Sequence, residues 1–290
     1  MTAWQFLRGL PGGQRIGRRA HLEWERHRPF PLPRYISGTP GVSGDSLFKH
    51  SSPTAATLEA AAMSEEAVDF VIGVLERLTP IEQLAAHQLF YGLAQGKFGK
   101  HWRYADLLTV LCSAAYFIRP SNYLEIGVWR GRSAAVVGAL SPDCAIYGFD
   151  LWIPEYGGAP NPGPEFVRGE LKTIGHRGNV VLESGDSLKT LPAFLSQHPD
   201  LYFDLITIDG AKSVLSVASD FANALPRLKI GGIVVTDDLP INPVLRRIWE
   251  RVIERDGRYT NWEFIDANLG VAAAIRVADA APVVLAPPET

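Results

Sequence analysis

Cysteine is nearly absent from this 290-residue chain. The two that occur, Cys112 and Cys144, sit in apolar runs and read as buried thiols. A chain of this size needs no disulfide framework to complete a core, and two thiols of this kind imply a reducing, cytoplasmic setting. Long hydrophobic runs are missing too. The longest, Leu107 to Ile118, is bounded by Asp106 and Arg119 and is too short to span a bilayer, so no membrane contact is expected. Arg8 and the Pro11-Gly12-Gly13 break leave no room for a signal-peptide core. None of the seven histidines falls in a recognisable motif, with His101 the one that stands nearest a candidate loop.

What is present is a composition of 47% hydrophobic and 20% charged residues, which suits one large α/β domain plus an appendage. Net charge is only −3, but it is unevenly spread. Residues 1–34 hold seven arginines against Glu23 and Glu25, a local charge of +5, so the remainder carries −8. A basic arm can touch nucleic acid or acidic surfaces, but it reads first as a solvated segment or a subunit contact. A homo-oligomer joined through the N-terminal region is therefore expected, with no role for nucleic acid.

Residues 1–53 are rich in Arg, Pro and Gly and read as an irregular arm. A helical cap is expected over 54–120, with helices at 54–78, 80–95 and 104–118, the last stopping before Pro120. From 121 to 278 strand and helix signals alternate. Strands are expected at Tyr123–Ile126, Ala145–Phe149, Val180–Leu182, Phe203–Ile208, Ile233–Thr236, Trp262–Ile265 and Val271–Val277. Short β-branched runs separated by helices predict a Rossmann-like, mostly parallel seven-stranded sheet flanked by helices. Residues 279–290 read as a flexible tail.

The segment Asn122-Tyr-Leu-Glu-Ile-Gly-Val-Trp-Arg-Gly-Arg-Ser133 places Glu125, Gly127 and Gly131 between the first strand and an Ala/Val-rich helix. Glycines there let backbone approach a ligand, and the helix start presents free N–H groups. The spacing departs from the Gly-x-Gly-x-x-Gly of dinucleotide folds. With the acid leading, it resembles motif I of class I S-adenosylmethionine (SAM) methyltransferases. That resemblance implies SAM as cofactor. Asp150, 25 residues after Glu125, ends the second strand and is placed to accept ribose hydroxyls. Asp186 and Ser187 follow the third strand, where Asp186 can accept from an adenine amino group. Ser133 can donate to the amino-acid carboxylate. Taken singly, Gly127 and Gly131 also fit a plain turn, and Asp186 a helix cap. Their joint placement at three strand ends favours the cofactor reading.

The fourth strand delivers Asp209-Gly-Ala-Lys212 and the fifth delivers Asp237-Asp238. As sheet neighbours about 5 Å apart, these would bring three carboxylates together, and a divalent cation such as Mg²⁺ would relieve their repulsion. Consecutive strand residues face opposite ways, so both aspartates can serve only if the strand ends at Thr236 or Asp237. Lys212 reads either as a general base or as a surface partner of Asp209. The two aspartates alternatively form a solvated strand end. Residues 103–277 resemble the cation-dependent O-methyltransferases, of the catechol and caffeoyl-CoA type and the macrocin-type sugar enzymes. That resemblance assigns the metal to Asp209, Asp237 and Asp238, and the base to Lys212 or Asp209. Lys212 matches the catechol group and Asp237-Asp238 the sugar group, so the acceptor class stays open between them. The implied acceptor is a hydroxyl of a small molecule, a sugar or phenolic natural product. The Gly-Gly-Gly-Asp-Gly turn of aminopropyl transferases is missing. Residues 152–166, with four prolines and three glycines, read as a lid or a rigid insertion, and residues 97–104 as a second flap or as cap packing.

Overall fold

The computed structural model describes residues 55–156, 158–264 and 270–278. The expected arm at 1–53 and tail at 279–290 lie outside them. Among the described residues four α-helices precede the sheet: α1 (Ala55–Ala62), α2 (Glu65–Leu75), α3 (Glu82–Phe98) and α4 (Leu107–Ile118). The single helix expected over 54–78 is thus two. Ser64 divides them. Its backbone is extended, its Oγ donates to the Ala61 carbonyl at 2.7 Å, and the same oxygen accepts from the Ala67 amide at 3.2 Å. A short hydroxyl side chain closes one helix and opens the next, and Glu65 and Glu66 in the first turn suit the new N-terminus. Helix α4 starts at Leu107 rather than 104 because Asp106 forms a reciprocal capping box with Thr109. It ends in a left-handed Arg119, just before Pro120.

The sheet uses β1 (Asn122–Ile126), β2 (Ala145–Asp150), β5 (Val180–Ser184), β6 (Phe203–Ile208), β7 (Leu228–Asp237), β8 (Tyr259–Phe264) and β9 (Val271–Arg276). Its order is β5-β2-β1-β6-β7-β9-β8. The first four pairings run parallel, and β9 lies antiparallel to both β7 and β8. Helices α5 (Arg132–Leu140), α6 (Pro164–Thr173), α7 (Ser187–Gln197) and α8 (Val214–Ala224) make the crossovers. Helix α9 (Pro243–Trp249) continues through a wide turn at Glu250–Glu254 before β8. The chain builds outward from β1 through β2 to β5, then returns to place β6 on the other side of β1. That reversal opens a crevice beyond the carboxyl ends of β1 and β6.

Strand β7 begins five residues before its expected start. Gly232 allows this, since a side chain there would press on the Asp204 and Lys229 carbonyls. The pairing slips between Phe203 and Leu205 to absorb the difference. Residues 152–166 are not wholly irregular. They hold a two-residue hairpin, β3 (Glu155–Tyr156) against β4 (Ala159–Pro160), and Pro164 then starts α6.

One face of the sheet packs α7, α8 and α9 around Phe149, Phe203, Phe221, Leu228 and Trp249. Trp249 is fully buried and meets Phe221 edge-on at 6.2 Å. Each such side chain contributes about 1.5–3 kcal/mol by leaving water. On the other face α4 is buried from Leu108 to Ala115 and packs on β7, α1, α2 and α5. Cys112 and Cys144 are both buried and unpaired by any disulfide. Among the described residues no helix is long and apolar enough to cross a membrane. Replacing Ser64 by Ala should lower stability by about 1 kcal/mol through loss of the α2 cap. Urea unfolding would show it as a lower midpoint with an unchanged slope.

Candidate active site

The turn after β1 is held by its neighbours on both sides. The Gly127 amide donates to the Phe149 carbonyl at 2.9 Å, and the Asp209 amide donates to the Ile126 carbonyl at 2.8 Å. Gly127 has φ +88°, and a side chain there would overlap the Asp209 carbonyl. Asp150 fixes the rest. Its Oδ2 accepts from the Val128 and Trp129 amides at 2.7 Å each, and its Oδ1 accepts from Trp152 at 2.6 Å. Trp129 and Trp152 both have positive φ, 49° and 52°. A carboxylate offers about four lone-pair sites, so one remains on Oδ1.

A cavity of about 390 Å³ lies against this turn. Ile126, Phe149 and Leu151 give it apolar walls, and Gly127, Asp150, Asp186 and Ser187 line one side. Arg132, Asp209 and Ala211 line it too. Gln83 of α3 and Tyr156 of the hairpin also reach it. Asp186 caps α7, its Oδ1 accepting from the Leu188 amide at 3.0 Å. Three sequence-predicted residues stand behind the cavity instead. Gly131 faces the Val167 side chain. Ser133 donates its hydroxyl to Glu125 Oε1, so that hydroxyl is already spoken for. Glu125 is completely buried, and burial pushes its carboxyl up to about 8 against the opposing effect of Ser133.

The aspartates meet at the ends of β6 and β7, where Ile208 pairs with Thr236. Strand β7 ends at Asp237, and Asp238 turns left-handed at φ 65°, which satisfies the condition that the strand stop there. Lys212 Nζ lies 2.6 Å from Asp209 Oδ1 and 3.5 Å from Asp238 Oδ2. Burial alone would lower the Lys212 pKa, but Asp209, Asp238 and Asp237 together raise it. Burial raises Asp209, with Lys212 opposing. Burial and the neighbouring Asp209 and Asp238 charges raise Asp237 well above an ordinary carboxyl. Among the described residues no three His, Cys, Asp or Glu side chains stand at metal-ligand spacing. The expected set of Asp209, Asp237 and Asp238 is thus suited to a dication in charge but not gathered around one, because the Lys212 ammonium sits between two of its members.

Sequence reasoning missed the neighbours that the cap supplies. Asp106 accepts from Tyr91 Oη at 2.5 Å and Tyr104 Oη at 3.2 Å, and His87 Nε2 lies 3.0 Å away. Burial would raise its pKa, but His87, Tyr91 and the Thr109 amide bring it below the usual value. Trp102 stacks on Tyr104 at 5.1 Å, so the aromatics of 97–104 pack within the cap. His101 is exposed and takes no part, and His87 is the histidine that matters. Asp220 was missed as well. It is buried beneath Gly210, and burial pushes its carboxyl up to about 6. Its one signal was an acid on the apolar stripe formed by Val217, Phe221 and Ala224.

Residues 124–239 match the family model of a methyltransferase domain. The matched segment begins in β1 and ends just past Asp238, so it holds the glycine turn, the aspartates and most of the cavity lining, Gln83 of α3 excepted. No curated protein matches the chain in sequence. Among solved structures it is similar to a calicheamicin methyltransferase, at 21% identity over 74% of this chain and 92% of that one, with a TM-score of 0.48. It is also similar to a putative O-methyltransferase from Klebsiella pneumoniae, at 19% identity over 79% and 100% of the two chains, TM-score 0.48. A third is the O-methyltransferase TomG from Streptomyces achromogenes in complex with SAM, at 18% identity over 77% and 96%, TM-score 0.47.

Gly127→Ala should disrupt the protein at the β1–β6 junction, lowering the melting temperature by several degrees through both the positive φ and the overlap. Asp220 tests the floor of the site. Its folded pKa lies above the unfolded one, so folding stability falls as pH rises from about 4 to 6 and stays lower above that window. Asp220→Asn should stabilise the protein by on the order of 2 kcal/mol at pH 7.5. The gain should vanish near pH 4, as followed by urea midpoints at the two pH values.

Proposed function

We propose that this chain is a SAM-dependent O-methyltransferase acting on a hydroxyl of a small molecule, a sugar or phenolic natural product, assisted by Mg²⁺. The observation that carries the reading is one crevice lined by Asp150, Asp186 and Asp209 from three strand ends, with Asp209 joined through Lys212 to Asp238. The residues fit SAM in kind. Asp150 keeps one lone pair for a ribose hydroxyl, Asp186 stands where a base amino group can donate, and Phe149 and Leu151 give flat apolar contact. When bound, SAM supplies a methyl group on a positively charged sulfur. The chain's contribution is then to hold the acceptor oxygen in line and receive its proton.

Asp209, Asp237 and Asp238 are the acids that would hold Mg²⁺ once Lys212 is withdrawn from between Asp209 and Asp238, and its Lewis acidity would lower the pKa of an acceptor hydroxyl. Lys212 donates a hydrogen bond to Asp209, and of the two Asp209 is the group to receive the proton, since the surrounding aspartates keep Lys212 an ammonium. A second reading rests on the same pair. Because Lys212 already bridges Asp209 and Asp238, its ammonium can neutralise both, leaving Asp237 and Asp238 to orient the acceptor without a metal.

Calorimetric titration of SAM and of S-adenosylhomocysteine, each with Mg²⁺ and with EDTA, tests the cofactor assignment, and micromolar binding is expected. Turnover with labelled SAM tests the metal. EDTA should abolish it, and Asp237→Asn should cut it by about 100-fold or more, comparable to other charge-stabilising groups. Unchanged turnover in EDTA would leave the metal-free reading standing. Absence of binding by either ligand would instead point to a methyltransferase fold used only as a binding protein.

A further inference from the structure

Arg132 has no assigned task in the account above, yet it lines the cavity. It is the first residue of α5, following directly on the Gly127–Gly131 turn. Among the described residues it makes no hydrogen bond and no ion pair. It stacks on the Trp129 ring, whose centroid lies 4.5 Å from the guanidinium carbon. A guanidinium has five N–H donors and stays protonated in proteins. Stacked on an indole and largely withdrawn from water, this one has its donors uncommitted.

The surroundings define what it can bind. Burial lowers its pKa, while Asp106, Asp209 and Asp237 supply the favourable field that keeps it charged without touching it. Helix α5 lacks a side-chain cap, since its N-cap is Gly131. The partial positive charge of that helix start therefore adds to the guanidinium. Both point to an anion, and a planar one suits the fork of an arginine best. Ser133, the neighbouring candidate for this task, is turned away onto Glu125.

We infer that Arg132 is the carboxylate receptor of the methyltransferase, gripping the amino-acid carboxylate of the SAM methionine moiety. This rests on the SAM reading above. Of the groups on SAM only this carboxylate is negative. Its ammonium and sulfonium are cations, and the acids Asp209 and Asp237 near Arg132 can accommodate them. Arg132 is thus a binding and positioning residue that fixes the sulfonium end of the cofactor.

The test compares S-adenosylhomocysteine with 5′-methylthioadenosine, which keeps the adenosine and thioether but lacks the amino-acid carboxylate. Dissociation constants are measured by calorimetry for the wild-type protein, Arg132→Gln and Arg132→Lys. The expected result is a loss of about 10- to 100-fold in S-adenosylhomocysteine affinity for Arg132→Gln, the value of a charged hydrogen bond. Arg132→Lys should lose less, and 5′-methylthioadenosine affinity should shift by less than about threefold in both. Equal losses for the two ligands, or none, would overturn the inference while leaving SAM binding intact. A rise in acceptor KM with S-adenosylhomocysteine affinity unchanged would also overturn it, and would place the anion on the acceptor. If the wild-type protein bound neither ligand, the SAM reading itself would fall. Should Arg132→Gln fail to fold, the lysine variant alone decides, since it keeps the charge but not the planar fork.

Discussion

The three hydrogen bonds that Asp150 accepts from backbone hold the site in its shape. Val128 and Trp129 donate to one oxygen and Trp152 to the other, so a single carboxylate at the end of β2 fixes the turn after β1 and the turn after β2 together. Hydrogen bonds to a charged group contribute about 1.5–3 kcal/mol each, enough to hold Trp129 and Trp152 at positive φ. With the turn fixed, Gly127 can lie against the Asp209 carbonyl, and the crevice between β1 and β6 acquires rigid walls. The carboxylate that a ribose would meet is thus also the one that builds the pocket.

Charge governs the other end. Asp106, Asp209, Asp237 and Asp238 come from the cap and from two strand ends, and two cations, Arg132 and Lys212, stand among them. Lys212 touches two of the acids, while Arg132 touches none. Burial, with the neighbouring Asp209 and Asp238 charges added, is what raises Asp237 so far, and the charge part is what a cationic cofactor or a dication would relieve. The phenols of Tyr91 and Tyr104 solve a similar problem for Asp106. Burial and the nearby carboxylate keep both protonated, so both remain hydrogen-bond donors. The helical cap is therefore part of the electrostatics of the crevice as well as its cover.

Much of the frame was legible because each signal is local. Strands β1 and β6 follow their apolar runs to within a residue, and the acids Asp150, Asp209 and Asp237 sit at strand ends where the runs stop. Where the reading slipped, a neighbour had overridden the local pattern. Ser64 split a helix whose apolar spacing runs through it. A register slip beside Gly232 lengthened β7. The hairpin of β3 and β4 is too short to leave a signal among prolines. Ser133 was assigned to the ligand because a hydroxyl at a helix start is an ordinary donor, and only the buried Glu125 beside it shows where the proton goes.

The sequence by itself determined the succession of strands and helices, the glycine turn after β1 and the acids that close each strand. Periodicity, chain reversal and strand termination are properties of neighbours along the chain. Tertiary structure decided which of those groups face the crevice. It turned Glu125 and Ser133 on each other, set Lys212 between Asp209 and Asp238, and brought Asp106 with its two tyrosines from the cap. Among the described residues it also left the Arg132 guanidinium stacked on Trp129 with no carboxylate in contact. These are contacts between residues far apart in the chain or on different faces of one turn, and no local pattern encodes them.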